Sequence, residues 1–186
     1  MQDTNKSKAR LLEILATLSY KQGTVTLASG KTSDFFIDCK QTVLTAEGHA
    51  LVGELMLDAL GSQKIDAVAG VELGGCPLAS AVSLTSSLRG TPLDAIYVRK
   101  EAKDHGSQRL IEGGTRLRKG ARVALLEDVV TTGGSTLKAA KKLNAAGFEI
   151  AAVVALVDRL EGGREAIEAG GYAFTSLYTR RDFIRE

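Results

Sequence analysis

The sequence has few of the features that mark specialised chemistry, and each lack excludes something. It has two cysteines, Cys39 and Cys76, too far apart to match a metal-binding spacing. One disulfide is arithmetically open, but two free thiols in a reducing compartment are the expected state. The formal net charge is only +2, without the basic excess of a general nucleic-acid binder. An anion must therefore be held by a local cluster. The longest unbroken apolar run, residues 150–157, is far short of a membrane span. The opening MQDTNKSKAR lacks the apolar stretch of a secretory signal, so a cytoplasmic location is expected. Neither GxxxxGK[ST] nor GxGxxG occurs, which disfavours nucleoside triphosphate hydrolysis and dinucleotide binding. No internal repeat, low-complexity tract or linker divides the chain, so residues 1–186 are expected to form one domain.

What is present suits a packed core. The 186 residues are 44% hydrophobic and 25% charged, the balance of an ordinary globular protein rather than a disordered one. Residues 8–20 place Leu11, Leu12, Leu15 and Leu18 at helical spacing, and residues 46–60 repeat likewise. Between them TVTLASG and DFFIDCK flank a turn-like SGKTS. Strand-like segments then alternate with helical ones. Strands are expected at 65–70, 93–100, 122–129, 149–158 and 171–179, and helices at 76–88, 134–147 and near 161–169. Gly147 has the place of a helix C′ residue. Nearly continuous apolar strands alternating with helices indicate an α/β fold with a parallel sheet covered on both faces. In such sheets ligands bind beyond the carboxyl ends of the strands.

One stretch there has specific chemistry. VALLEDVVTTGGST, residues 123–136, runs an apolar strand into Glu127 and Asp128, then through Val129 and Val130 into a turn of Thr131, Thr132, Gly133, Gly134 and Ser135. Glycines let successive N–H groups converge, and a following helix adds its positive end. The hydroxyls supply further donors, so the turn suits a phosphate monoester. Two carboxylates beside it suit the vicinal hydroxyls of a sugar. A Thr/Ser/Gly turn can also do no more than cap the next helix. The adjacent acids would then face an anion-attracting turn without purpose, which favours the site.

LLEDVVTTGGST resembles the phosphoribosyl pyrophosphate motif of the type I phosphoribosyltransferases. A second segment, YVRKEAKDHGSQRLIEG, gathers Arg99, Lys100, Lys103, His105 and Arg109. A charged stretch is commonly just solvated surface, but RKxxKxHG resembles the catalytic loop of the orotate phosphoribosyltransferases. LASGKTSDFFID resembles that family's turn before paired aromatics. VALVDRLEGG resembles its strand end carrying an arginine. The matches run from about residue 27 to 162.

The resemblance implies a type I phosphoribosyltransferase fold with a small N-terminal hood, about residues 1–45, packed on the core. It implies transfer of a 5-phosphoribosyl group from phosphoribosyl pyrophosphate to orotate, giving orotidine 5'-phosphate and pyrophosphate. Residues 127–135 would hold the ribose phosphate, and Arg99, Lys100, Lys103 and His105 the pyrophosphate. Lys103 would be the main electrostatic catalyst, assisted by His105. Phe35, Phe36, Thr131 and Arg159 would contact orotate, with Phe36 the one favoured for the core on burial statistics. Mg²⁺ would be held mainly through substrate oxygens, without dedicated protein ligands. A homodimer sharing loop 100–112 across its interface is also implied, with no nucleic-acid or membrane partner.

Two departures stand out. The enteric bacterial type has lysines where this chain has Ala28 and Gly74, which removes two pyrophosphate contacts. Two alternatives remain. Another type I phosphoribosyltransferase would share residues 123–136 but has no use for RKxxKxHG. A non-catalytic sensor of phosphoribosyl pyrophosphate would need a nucleic-acid-binding surface that the charge does not supply.

Overall fold

A computed structural model describes residues 4–26, 32–101 and 110–184. The chain opens with α1 (Thr4–Ile14), which passes into a π-helical turn, Leu15–Ser19. An antiparallel pair follows, β1 (Tyr20–Thr26) and β2 (Thr32–Ile37), then α2 (Lys40–Val43) and α3 (Ala46–Leu60). The rest alternates: β3 (Ala67–Val71), α4 (Gly75–Leu88), β4 (Asp94–Val98), β5 (Ile111–Gly113), β6 (Arg122–Val130), α5 (Gly134–Ala145), β7 (Glu149–Asp158), α6 (Gly163–Ala169) and β8 (Phe174–Thr179).

The larger sheet has six strands in the order β5-β4-β3-β6-β7-β8. All neighbours are parallel except β4 and β5. Period-two alternation divides the side chains between two layers. Ala124, Leu126, Val154 and Leu156 face the layer built with α1, α3 and α4. Val123, Leu125, Val153 and Ala155 face the other, with Ala139, Leu143 and Ile167 of α5 and α6. Burying each large aliphatic side chain contributes about 1.5–3 kcal/mol, so β6 and β7, with side chains buried in both layers, are strongly held.

The parallel sheet and the expected helices are present, and α3 and β7 match their expected ranges to the residue. Gly147 is left-handed, at φ 92°, and the Phe148 N–H returns to the Leu143 carbonyl, closing α5. Leu18 departs from expectation. Leu11 and Leu15 are fully buried, but Leu18 is 47% exposed. The π turn adds a residue to the helical repeat, so the side chain rotates off the apolar stripe. Strand β5 was not foreseen, because three residues are too few to show a period.

The β1–β2 pair packs on the core through an aromatic cluster. Phe35 lies 5.2 Å from Tyr20 and 5.9 Å from Phe183, ring centre to ring centre. Tyr178 meets Phe183 edge-on and donates from its hydroxyl to the Lys8 carbonyl at 2.7 Å. These contacts bind both chain ends to one side of the sheet.

Candidate active site at the strand ends

Strand β6 runs past its neighbour β3, whose pairing stops at Gly70 opposite Leu126. Glu127 and Asp128 therefore stand at the sheet's carboxyl edge. Beyond Val130 the chain bends through residues 131–133 and enters α5 at Gly134. Gly133 caps the helix at φ 76°, a conformation that favours glycine. Thr132, Gly134 and Ser135 are exposed and Thr131 half-buried. The first N–H groups of α5 have no intrahelical partners and carry the positive end of the helix dipole.

The turn is braced from below. A Cβ at Gly163 would lie 2.4 Å from Val130 Cγ1 and 2.6 Å from the Thr131 carbonyl oxygen, so α6 must begin with a glycine there. Glu127 is 5% exposed. Its Oε2 accepts from the Thr136 hydroxyl at 3.1 Å and the Ser135 hydroxyl at 3.4 Å. Burial, and then the charge of Asp128, push the Glu127 carboxyl up to about 8, against the lowering effect of those two hydroxyls. Val130 is buried and its carbonyl accepts the Arg159 N–H at 2.9 Å. Any ligand contact from Val130 is thus a backbone one, not a side-chain one.

Asp128 is half-buried and takes its own Val129 N–H at 2.9 Å. Against it lies the turn after β3, Glu72 to Gly75, which contains a cis Glu72–Leu73 peptide. A Cβ at Gly74 would stand 2.0 Å from Asp128 Oδ2. A side chain at residue 74 would have to displace the Asp128 carboxylate from its present position.

At the end of β4, the Arg99 N–H pairs with the Leu110 carbonyl at 2.9 Å, and its guanidinium lies 3.9 Å from Glu112. Lys100 is exposed and shares a cavity of about 330 Å³ with Arg99, Glu101, Ser135, Lys138 and Lys142. Two cations that follow β4 thus stand beside α5, the helix that begins after the glycine turn. Lys103 and His105 lie outside the described residues, as do Arg109 and the turn at 29–31, and Ala28 with them.

The opposite flank holds Phe35 and Arg159. Phe35 is fully buried while Phe36 is half-buried. This reverses the sequence expectation, because strand alternation sends Phe35, Ile37 and Cys39 inward together. The Arg159 guanidinium stands 5.6 Å from the Phe35 ring centre and the Arg180 guanidinium 5.5 Å. Glu161 links them, 2.7 Å from Arg159 and 3.9 Å from Arg180. Asp158, wholly buried, accepts the Leu160 N–H at 2.9 Å and shapes the bend that presents Arg159. Thr131 and Arg159 are brought to the same edge by the pairing of Val130 with Asp158.

Sequence reasoning missed Arg180, Glu161, Glu72 and Lys142. Arg180 follows the last strand's carboxyl end, so the strand-end rule could have found it. Lys142 stands seven residues after Ser135, two helical turns along the same face, which is a weak signal. Glu72 and Glu161 had no signal beyond lying in turns.

The Phosphoribosyl transferase domain family matches residues 42–171. An orotate phosphoribosyltransferase from Sorangium cellulosum is 66% identical over 178 residues, covering 95% of this chain and 93% of its own. The fold superposes on the orotate phosphoribosyltransferase of Mycobacterium tuberculosis in complex with Fe(III) dicitrate, with TM-score 0.82, 38% identity and coverage of 95% and 98%. The same enzyme in complex with 5-phospho-alpha-D-ribosyl 1-diphosphate matches with TM-score 0.79 and 34% identity, over 95% and 98% of the two chains. With a phosphate-type turn, an acid pair and an arginine meeting at one sheet edge, the chain belongs to the orotate phosphoribosyltransferase family.

Proposed function

We propose that this protein transfers the 5-phosphoribosyl group from phosphoribosyl pyrophosphate to orotate in the cytoplasm, as a step of pyrimidine biosynthesis. Family membership supports the reaction, and the M. tuberculosis relative solved with the donor supports the donor's identity. The observation that carries the acceptor is Arg159, nearly buried against Phe35 on the edge that also holds the turn. An arginine there can grip a planar carboxylate with two parallel hydrogen bonds.

In this reading residues 131–135 receive the 5-phosphate through backbone N–H groups and hydroxyls. Val129 and Val130 take part through the backbone only, and Glu127 and Asp128 take the ribose hydroxyls. Phe35, Phe36, Thr131 and Arg159 enclose orotate. Orotate N1 supplies an electron pair to C1 of the ribose while the C1–oxygen bond breaks and pyrophosphate leaves with that bonding pair. N1 reacts as an anion, so a strong protein base is not needed. The protein's task is to align the two ligands and neutralise the departing charge. Arg99, Lys100, Lys103 and His105 take that part, Lys103 foremost, with His105 able to hand a proton to the leaving group.

Mg²⁺ fits this site in a particular way. Among the described residues no three His, Cys, Asp or Glu side chains gather to hold a metal. The half-buried carboxylate of Asp128 suits an ion carried chiefly by substrate oxygens. When bound, it would offset phosphate charge.

A homodimer sharing residues 100–112 between sites accompanies the reading. The groove between α3 and α4 supports it, because Leu84 and Leu88 stand 57% and 80% exposed on one apolar face with Ala50 and Leu51. No helix among the described residues is long and apolar enough to cross a membrane.

The test is loss of orotate absorbance with Mg²⁺ and phosphoribosyl pyrophosphate, with uracil, hypoxanthine and adenine as rival acceptors. Orotate alone should be consumed. Lys103→Ala should lower turnover by on the order of 10²–10³-fold. Consumption of a purine instead would overturn the role given to Arg159. Unchanged turnover in the Lys103 variant would overturn the role given to that lysine.

A further inference from the structure

Three hydrogen bonds hold the backbone of Arg99 and Lys100 just after β4, two of them on the peptide that joins the pair, and the reaction as described uses none of them. Lys142 Nζ donates to the Arg99 carbonyl at 2.8 Å and to the Lys100 carbonyl at 2.7 Å. From the other side, Glu72 Oε2 accepts the Lys100 N–H at 2.9 Å. We propose that Glu72 and Lys142 are positioning residues that clamp the Arg99–Lys100 peptide from two sides and so set Lys100 for the diphosphate of the sugar donor.

The clamp joins three parts of the site. Glu72 belongs to the turn that packs on Asp128 through Gly74. Lys142 sits on α5, whose first turn carries Ser135. The clamped peptide carries the two cations, Arg99 and Lys100, and the cavity between them and α5 is lined by Ser135 and Lys142. Neither anchor is a loose surface group. Lys142 is half-buried, and two of its three N–H donors are spent on carbonyls. A lysine so engaged is a strut rather than a free counter-charge. Glu72 is an acid on the turn that faces the acid pair, where a bare carboxylate would repel an anionic ligand. Its bond to a backbone N–H gives it a structural role instead.

The energetic logic is local. A flexible side chain reaching an anion gains most when its backbone root is already held, because less freedom remains to be lost on binding. Freeing the root should therefore weaken diphosphate recognition without touching the base. This inference rests on the reading of Lys100 as a diphosphate contact, and the experiment separates the two.

Lys142→Met, Glu72→Leu and Lys100→Ala would be compared by steady-state kinetics in both directions, with KM measured for phosphoribosyl pyrophosphate, pyrophosphate and orotate. Lys142→Met and Glu72→Leu should each raise both diphosphate-bearing KM values by roughly 3–10-fold, the scale of the net worth of one ordinary hydrogen bond felt through the backbone, and leave the orotate KM unchanged. Lys142→Arg and Glu72→Gln keep a donor and an acceptor, and should recover most of the loss. Combining Lys142→Met with Lys100→Ala should add little to Lys100→Ala alone. Thermal unfolding of each variant would detect a merely structural defect, which would lower Tm and active fraction but spare the KM ratios. Equal changes in all KM values, no change in any, or full additivity with Lys100→Ala would overturn the clamp. If Lys100→Ala itself leaves both diphosphate KM values untouched, the assignment of Lys100 fails and the clamp fails with it.

Discussion

The two flanks of the site are built in opposite ways. The flank proposed for phosphate is nearly continuous in sequence: strand, acid pair, glycine turn and helix occupy residues 122–145. Its bracing is mostly internal, as in the Ser135 and Thr136 bonds to Glu127. The flank proposed for the base draws Phe35 from β2, Arg159 from the end of β7 and Arg180 from after β8. What joins them is an aromatic cluster that spans both ends of the chain. The difference teaches where each flank is vulnerable: the first to local backbone changes, the second to losses of remote packing.

The sharpest way to break that comparison is at Phe35. It is fully buried between two guanidiniums and two aromatic rings, so Phe35→Ala should destabilise the protein by about 3–5 kcal/mol. Urea unfolding would measure this. The KM for orotate should rise more than that for phosphoribosyl pyrophosphate, and the reverse order would mean that the flanks are not separable. The complementary change is Gly163→Ala, whose methyl would press on Val130 and the Thr131 carbonyl. Displacing the turn should cost about 1–3 kcal/mol of stability. It should also raise the donor KM at least as much as the orotate KM, as steady-state assays would show.

Arg159→Lys sharpens the comparison without disturbing the fold. A lysine lacks the planar fork, so we expect roughly a 10–100-fold rise in orotate KM and little change in the donor KM. A comparable rise in both would move Arg159 to the phosphate flank. A separate test is a pH dependence at Glu127. Its carboxyl is held up at about 8, from an ordinary value of 4.5. Between those values the folded protein keeps a proton that the unfolded chain has released. The unfolded state then binds fewer protons, so stability falls as pH rises through that window. Glu127→Gln should flatten this part of the profile in urea titrations at pH 5 and pH 8. An unchanged slope would show that another group carries it.

Legibility in the sequence follows the same division. The turn at 131–135 could be read because its glycines, hydroxyls and acids lie within one strand–turn–helix unit, where spacing alone sets geometry. Central strands were legible because burial on both faces demands continuous apolar runs. Leu18 was misplaced because a π turn inserts an extra residue that composition does not announce. Phe36 was favoured for the core over Phe35, although the pair are equivalent in type. Only the pairing of β2 with β1 and its packing on Phe183 decide which one points inward.

By itself, then, the sequence determined the α/β architecture, the strand–turn–helix unit at 122–145 and the family. Those properties depend on residue type at short spacing, which local sterics and hydrophobic periodicity convert directly into geometry. The tertiary structure decided which acid is buried, how closely Gly74 approaches Asp128, and which cations share Glu161. It also decided that Glu72 and Lys142 meet at one peptide. These are relations between side chains far apart in the chain, and only the packed sheet brings them within hydrogen-bonding distance.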